Sequence, residues 1–199
     1  MKILITGFEP FGGETINPSW EAVEKLPKKI GETTLVKAQL PVEFIGAGER
    51  TAELYYKEAP AAILCVGQAG GRSAISIEQV ALNLMDSEMP DNAGFCPKGL
   101  PVAEGGPDGL FARLPARALK ETLCQAGIPA EVSLSAGTYV CNALMYRVMT
   151  LLQEGEQGGF IHLPFLPAQA AGKSGRPSMT LEMMVQGLSM IIEQLSIHP

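Results

Sequence analysis

Apolar residues along this chain recur in two alternating rhythms. Ile3-Leu4-Ile5, ending at Gly7, Ala62-Ile63-Leu64-Cys65-Val66, closed by Gly67, and Gly159 to Leu163 are short apolar runs that predict buried strands. Thr33 to Leu40 alternates enough for a strand. Ile75 to Leu84 and Ala130 to Ser135 also read as strands, the former with one acid, Glu78, inside it. Between these lie stripes at helical spacing: Leu144, Met145, Val148, Leu151 and Leu152, then Leu181, Met184, Val185, Leu188, Ile191, Ile192 and Leu195. Asn17-Pro18, a cap residue before a proline at the first helical position, opens a helix through Trp20 and Val23. Val42 to Lys57 and Pro115 to Ala126, the latter ended by Gly127, complete the predicted helices. Strands alternating with helices predict an α/β layer fold with a largely parallel sheet, as one domain over residues 1–199.

One stretch breaks the rhythm. Asp86 to Pro107 holds four prolines and four glycines with no period. Such a long irregular segment reads as a functional flap, a contact arm or a mobile loop.

Composition narrows the function. With 46% hydrophobic residues in 199, the chain can bury a full core without metals or disulfides. Its formal net charge of -6 and lack of a basic cluster argue against nucleic-acid binding. No apolar run approaches the roughly 20 residues of a membrane helix. The first strand-like run is too short for a signal peptide, so a cytoplasmic location is expected. Four cysteines without C-x-x-C spacing and two histidines argue against a zinc site. No metal site is expected.

The cysteines differ in setting. Cys65 lies in an apolar strand and Cys124 in a helix, and both read as structural. Cys96 sits in the long loop with nothing nearby to activate it. Cys141 follows the turn Ala136-Gly137-Thr138 where a helix must start. Free N–H groups and the helix dipole there favour a thiolate, lower its pKa and suit an oxyanion. The alternative is a buried thiol packing as a small hydrophobe. A thiol nucleophile needs a histidine. His198 is penultimate, where chain ends fray, which leaves His162 if such a pair exists. Glu78, a carboxylate among apolar neighbours, either orients that imidazole or occupies an exposed strand face. The glycine turns Thr6 to Gly13 and Val66 to Gly71 both follow strands and fit one crevice beyond the sheet, with Phe8 and Phe11 read as an exposed pair flanking a small apolar slot. Neither turn carries a phosphate-loop pattern.

Four motifs in order resemble pyrrolidone carboxyl peptidases, also called type I pyroglutamyl peptidases. They are Gly7-Phe8-Glu9-Pro10-Phe11-Gly12-Gly13 with Asn17-Pro18-Ser19-Trp20; Val66 to Arg72; Ala136 to Asn142; and Gly159 to Pro164. The resemblance spans nearly the whole chain. It implies an α/β/α three-layer sandwich with a largely parallel or mixed sheet, no cofactor, and often a homotetramer. It also implies a Cys-His-Glu triad of Cys141, His162 and Glu78 acting on N-terminally pyroglutamylated peptides, with Phe8, Phe11, Gln68, Tyr139 and Val140 shaping the ring pocket. A flat, neutral lactam suits such a slot, and a site that hydrogen-bonds its carbonyl rejects proline.

Two positions depart from the family pattern. Ser87-Glu88-Met89 precedes Pro90-Asp91-Asn92 where relatives often carry an arginine, a task that could pass to Arg72. Tyr139 replaces a common phenylalanine. Three rival readings stand beside this one: an inactive pyroglutamyl-binding protein, a nucleoside-phosphorylase-like transferase, and a redox sensor pairing Cys141 with Cys96.

Overall fold

The computed structural model describes residues 1–197, with the side chain of Ile197 excepted; His198 lies outside them. The elements run β1 (Lys2–Phe8), α1 (Pro18–Lys25), β2 (Lys29–Ile30), β3 (Thr33–Leu40), α2 (Gly46–Glu58), β4 (Ala62–Gln68), β5 (Ile75–Glu78), β6 (Val80–Leu82), β7 (Gly109–Phe111), α3 (Ala116–Gln125), β8 (Ala130–Ser133), α4 (Val140–Leu151), β9 (Gln157–Leu163), α5 (Pro167–Ala170) and α6 (Leu181–Ile197). Seven strands form a mixed sheet in the order β2-β3-β1-β4-β9-β5-β8, and β6 and β7 make a separate ribbon. β3, β1, β4 and β9 are parallel, whereas β5 runs antiparallel to β9 and parallel to β8. The sheet is therefore mixed, as the resemblance implied.

Helices cover both faces, which explains why the central strands read as continuous apolar runs. Ile3, Ile5, Leu64, Val66, Ile161 and Leu163 face the layer of α1, α3 and α6. Their strand neighbours Leu4, Ile63, Cys65 and Phe160 face the layer of α2 and α4. The period-2 alternation of strand side chains sorts each run between two cores. Among the described residues no helix is long and apolar enough to cross a membrane.

Three predicted elements shift. The helix expected from Val42 starts at Gly46. The Val42 N–H donates to Glu9 Oε1 and the Phe44 N–H to Asp91 Oδ2, so side chains from two other loops hold this stretch ahead of the helix. The strand expected over Ile75 to Leu84 splits at Gln79. Its N–H bonds Ser133 in the large sheet, while its carbonyl accepts from Ala112 beyond the ribbon. One residue thus hands the chain from one sheet to the other. The strand expected from Ala130 to Ser135 ends at Ser133.

The segment 86–107 contains no helix or strand but is tied down throughout. Asn83 donates to the carbonyls of Ala103 and Gly106 and accepts from the Ala103 N–H. Tyr146 donates to Pro107, and Met85 bridges Leu100. Asn142, fully buried at the start of α4, accepts from the Leu82 N–H and donates to the carbonyls of Leu82 and Leu84. An Asn142→Leu substitution strands these three backbone groups in the interior. It should cost at least about 2 kcal/mol of stability, since each unsatisfied buried group costs ~1–3 kcal/mol. Urea unfolding monitored by circular dichroism measures this, and an unchanged midpoint would refute the pinning role.

Candidate active site

The site is assembled on the sheet face beneath α4. In the antiparallel β5–β9 pair, Ser76 stands opposite His162 and Glu78 opposite Phe160, so all four side chains share one face. Phe160 belongs to the core under α4, which fixes which face that is. Glu78 and His162 are diagonal neighbours there, and His162 Nδ1 meets Glu78 Oε1 at 2.7 Å. Both are buried.

Arg72, from the turn after β4, donates through Nη1 to the same Glu78 oxygen at 2.6 Å. Its Nη2 donates to the Ser135 carbonyl at 3.2 Å. An unpaired carboxylate buried this deeply would cost several kcal/mol. Two charge-assisted bonds on one oxygen offset much of that cost. Burial pushes the Glu78 carboxyl up, but the hydrogen bond and charge of His162, with hydrogen bonds from Ser133 and Arg72, hold it below the usual carboxylate range. The exposed-strand alternative for Glu78 is thereby removed.

Cys141 is the second residue of α4. The turn before it uses Gly137 at φ +81, a conformation that L side chains resist. Tyr139, the N-cap residue, is extended and offers no side-chain cap. Cys141 then reaches the sheet because Gly67 has no side chain. A Cβ built on Gly67 would stand 3.0 Å from Cys141 Sγ and 2.7 Å from the Phe160 ring. Gly67 is also the ladder partner of His162 in the parallel β4–β9 pair. The thiol therefore lies over the strand position beside the imidazole, on the same face.

Its protonation differs from the helix-terminus expectation. Burial of the thiol, with the charges of Glu78 and Cys65, pushes Cys141 up to about 12, against the opposing effects of Arg72 and its own backbone N–H. Desolvation outweighs the helix dipole, whose worth is at most ~2 kcal/mol. Burial also lowers the His162 pKa below 6.5, with Arg72 adding to the effect and Glu78 opposing it. The resting pair is a neutral thiol and a neutral imidazole.

A small, narrow cleft opens at Cys141. Phe8, Phe11, Gln68, Tyr139 and Val140, the five expected pocket residues, all line it. Phe8 is not exposed as expected. Its ring is buried and packs 6.4 Å from Phe160, because β1 carries it into the core. Phe11 and Tyr139 form the more open wall, with ring centroids 6.2 Å apart. The Tyr139 hydroxyl donates to the Pro90 carbonyl at 3.0 Å, and Asn92 donates to Glu9 and Pro10. The segment 86–107 is thus fastened to two cleft walls. Glu88 is exposed and pairs with Lys98 at 2.8 Å, while Arg72 is the cation at Glu78.

Sequence reading missed Asn17 and Val42, which also line the cleft. It missed Gln169 too, whose amide donates to Gln68 Oε1 at 2.9 Å and leaves the Gln68 NH2 group as a donor. Asn17 had a detectable signal as a helix cap; Gln169 had none. Cys65 is buried, as expected, whereas Cys124 is exposed at the end of α3 and bonds Ala130. Cys96 donates to the Ser87 carbonyl. Among the described residues, no group of three or more His, Cys, Asp or Glu is placed to hold a metal ion.

The thiol environment carries a direct test. Iodoacetamide labelling of Cys141, read by peptide mass spectrometry, should not accelerate through about pH 8–9, where ordinary thiols titrate. It should rise only toward pH 12. A half-maximal rate near neutral pH would instead restore the helix-terminus thiolate.

The chain is similar to one family of known proteins over nearly its whole length. A family model described as pyroglutamyl peptidase matches residues 1–197. The chain is 52% identical over 196 residues to the pyrrolidone-carboxylate peptidase of Thermococcus onnurineus, covering 97% of this chain and 98% of that one. It is 46% identical over 200 residues to the Levilactobacillus brevis protein of the same name, covering 99% and 98%. Among solved structures, pyroglutamyl peptidase I of Bacillus amyloliquefaciens superposes with a TM-score of 0.95 at 42% identity, covering 99% of this chain and 97% of that one. The pyrrolidone carboxyl peptidase of Fervidobacterium islandicum gives 0.94 at 38%, covering 99% of each.

Proposed function

The chain belongs to the pyroglutamyl peptidase family, and from that premise we propose that Cys141, His162 and Glu78 hydrolyse the bond after an N-terminal pyroglutamyl residue. It is a cysteine exopeptidase of this family; the roles of individual residues are our assignment. The observation that carries the assignment is the Glu78–His162 pair lying beside the strand position over which Cys141 Sγ stands, with that thiol opening on a small, largely apolar cleft.

The chemistry follows from the resting protonation states. Cys141 Sγ attacks the carbonyl joining the ring to the next residue while its proton passes to His162. Glu78 stabilises the imidazolium so formed through Nδ1–H. N–H groups at the uncapped start of α4 face the charge that develops on the carbonyl oxygen. His162 then protonates the departing amine, leaving a thioester that water cleaves to free pyroglutamate and the thiol. Phe8, Phe11, Tyr139 and Val140 enclose the lactam faces, and the Gln68 NH2 group donates to the ring carbonyl.

The inactive-binder reading rests on the arginine missing before Pro90; the presence of Cys141, His162 and Glu78 argues against it, and Arg72 supplies a cation at Glu78. We propose further that exposed Ile45, Tyr56, Phe111 and Leu134 give apolar surface to a homo-oligomer in the cytoplasm.

Under reducing conditions, the protein should release a fluorescent amine from its pyroglutamyl amide at least 100-fold faster than from the prolyl amide, on the order expected for a lost buried hydrogen bond. Cys141→Ala should abolish release. Retained turnover in that variant would sink the assignment. Because the His162 pKa lies below 6.5, the base stays neutral as pH falls through that value. The kcat/KM profile should hold its plateau through pH 6.5 and decline only below it; a decline centred above 7 would contradict a neutral buried base.

A further inference from the structure

Resting on the proposed triad, we infer that Arg72 is its positioning residue, tying the acid on β5 to the turn that delivers the nucleophile. The residue departs from an ordinary surface ion pair in three ways. Its Nη1 shares Glu78 Oε1 with His162, at 2.6 and 2.7 Å. Its Nη2 holds the Ser135 carbonyl, in the turn that leads through Gly137 and Tyr139 to Cys141. The Arg72 N–H bonds the Ala69 carbonyl in a tight turn directly after β4, the strand whose Gly67 the thiol overlies. One planar guanidinium thus spans β4, β5 and the entry to α4.

The fork geometry matters. Two nitrogens of a guanidinium are coplanar and donate in fixed directions, so Glu78 and Ser135 are held at a set separation. Lysine supplies the charge as a point donor and cannot reproduce that spacing. Ser135 and Cys141 sit at opposite ends of a short turn, so slack at Ser135 displaces the nucleophile relative to the imidazole. Misplacement on the order of 1 Å in such a site can cost roughly 100-fold in rate.

The groups facing this cluster come from every element around it. They are His162 from β9, Glu78 from β5, Ser133 from β8, Cys141 from α4 and, over Gly71, the Arg176 guanidinium. Arg72 is the cation bonded to Glu78, and its charge disfavours the imidazolium form of His162.

Arg72→Gln should lower kcat on the order of 100-fold with KM changed less than about threefold, because the ring pocket is untouched. The His162 imidazole titration, followed by NMR without substrate, should move to higher pH. Arg72→Lys should bring that titration back toward wild type while kcat stays depressed, separating charge from fork. A kcat within about threefold of wild type in Arg72→Gln, or a depressed kcat with an unmoved titration in both variants, would overturn the role. If Arg72→Gln does not fold, the lysine variant decides alone: wild-type kcat refutes the positioning role and depressed kcat at unchanged KM supports it. Wild-type protein inactive on pyroglutamyl amides would overturn the proposed function instead, and the substrate-free titration would still judge Arg72.

Discussion

A carboxylate removed from water dictates much of what surrounds it in this protein. Glu78 is fully buried, and its Oε1 accepts from both Arg72 and His162. Satisfying that oxygen demands a histidine on the adjacent strand, one pair along, and a cation from the turn after β4. The antiparallel pairing of β5 with β9 meets the first demand by setting Glu78 opposite Phe160 and Ser76 opposite His162. The reversal of strand direction within an otherwise parallel region is therefore part of the site's geometry. The imidazole in turn is held in one orientation, which a base beside a neutral thiol requires.

Glycine and packing complete the arrangement from the other side. Cys141 approaches the sheet because Gly67 leaves a gap, and Phe160 closes that gap below. The enclosure that brings thiol and imidazole together also desolvates them, and this keeps both neutral at rest. Reactivity then depends on coupled proton transfer during attack. The half-buried thiol meets the substrate carbonyl at the cleft it lines.

The long irregular segment gains meaning from its attachments. Its Pro90 carbonyl meets Tyr139, its Asn92 meets Glu9 and Pro10, and its Phe95 packs edge-on against Phe44. Phe44 in turn packs edge-on against Tyr139. The Tyr139 hydroxyl thus fastens this segment to the cleft wall. The redox reading, by contrast, finds Cys96 donating to Ser87 and has no bond to Cys141 in its support.

Local chemistry was readable from the residues alone. Strand runs, helix stripes, the Asn17 cap and the proline after it depend on neighbours within a few positions, and those elements stand where the pattern put them. The proposed triad and pocket residues came from short contiguous motifs and the resemblance they carry; Cys141 and the five pocket residues line one cleft, and Glu78 meets His162. Other features were not. The direction of β5, the burial of Phe8 and the exposure of Cys124 depend on which elements become neighbours, and an apolar run carries no record of its partner. The thiol shows the difference most clearly. A helix start is a local property that favours a thiolate, but desolvation sums over Gly67, Phe160 and other groups distant in sequence. Only the tertiary structure brings them together, so only it could decide that Cys141 rests protonated.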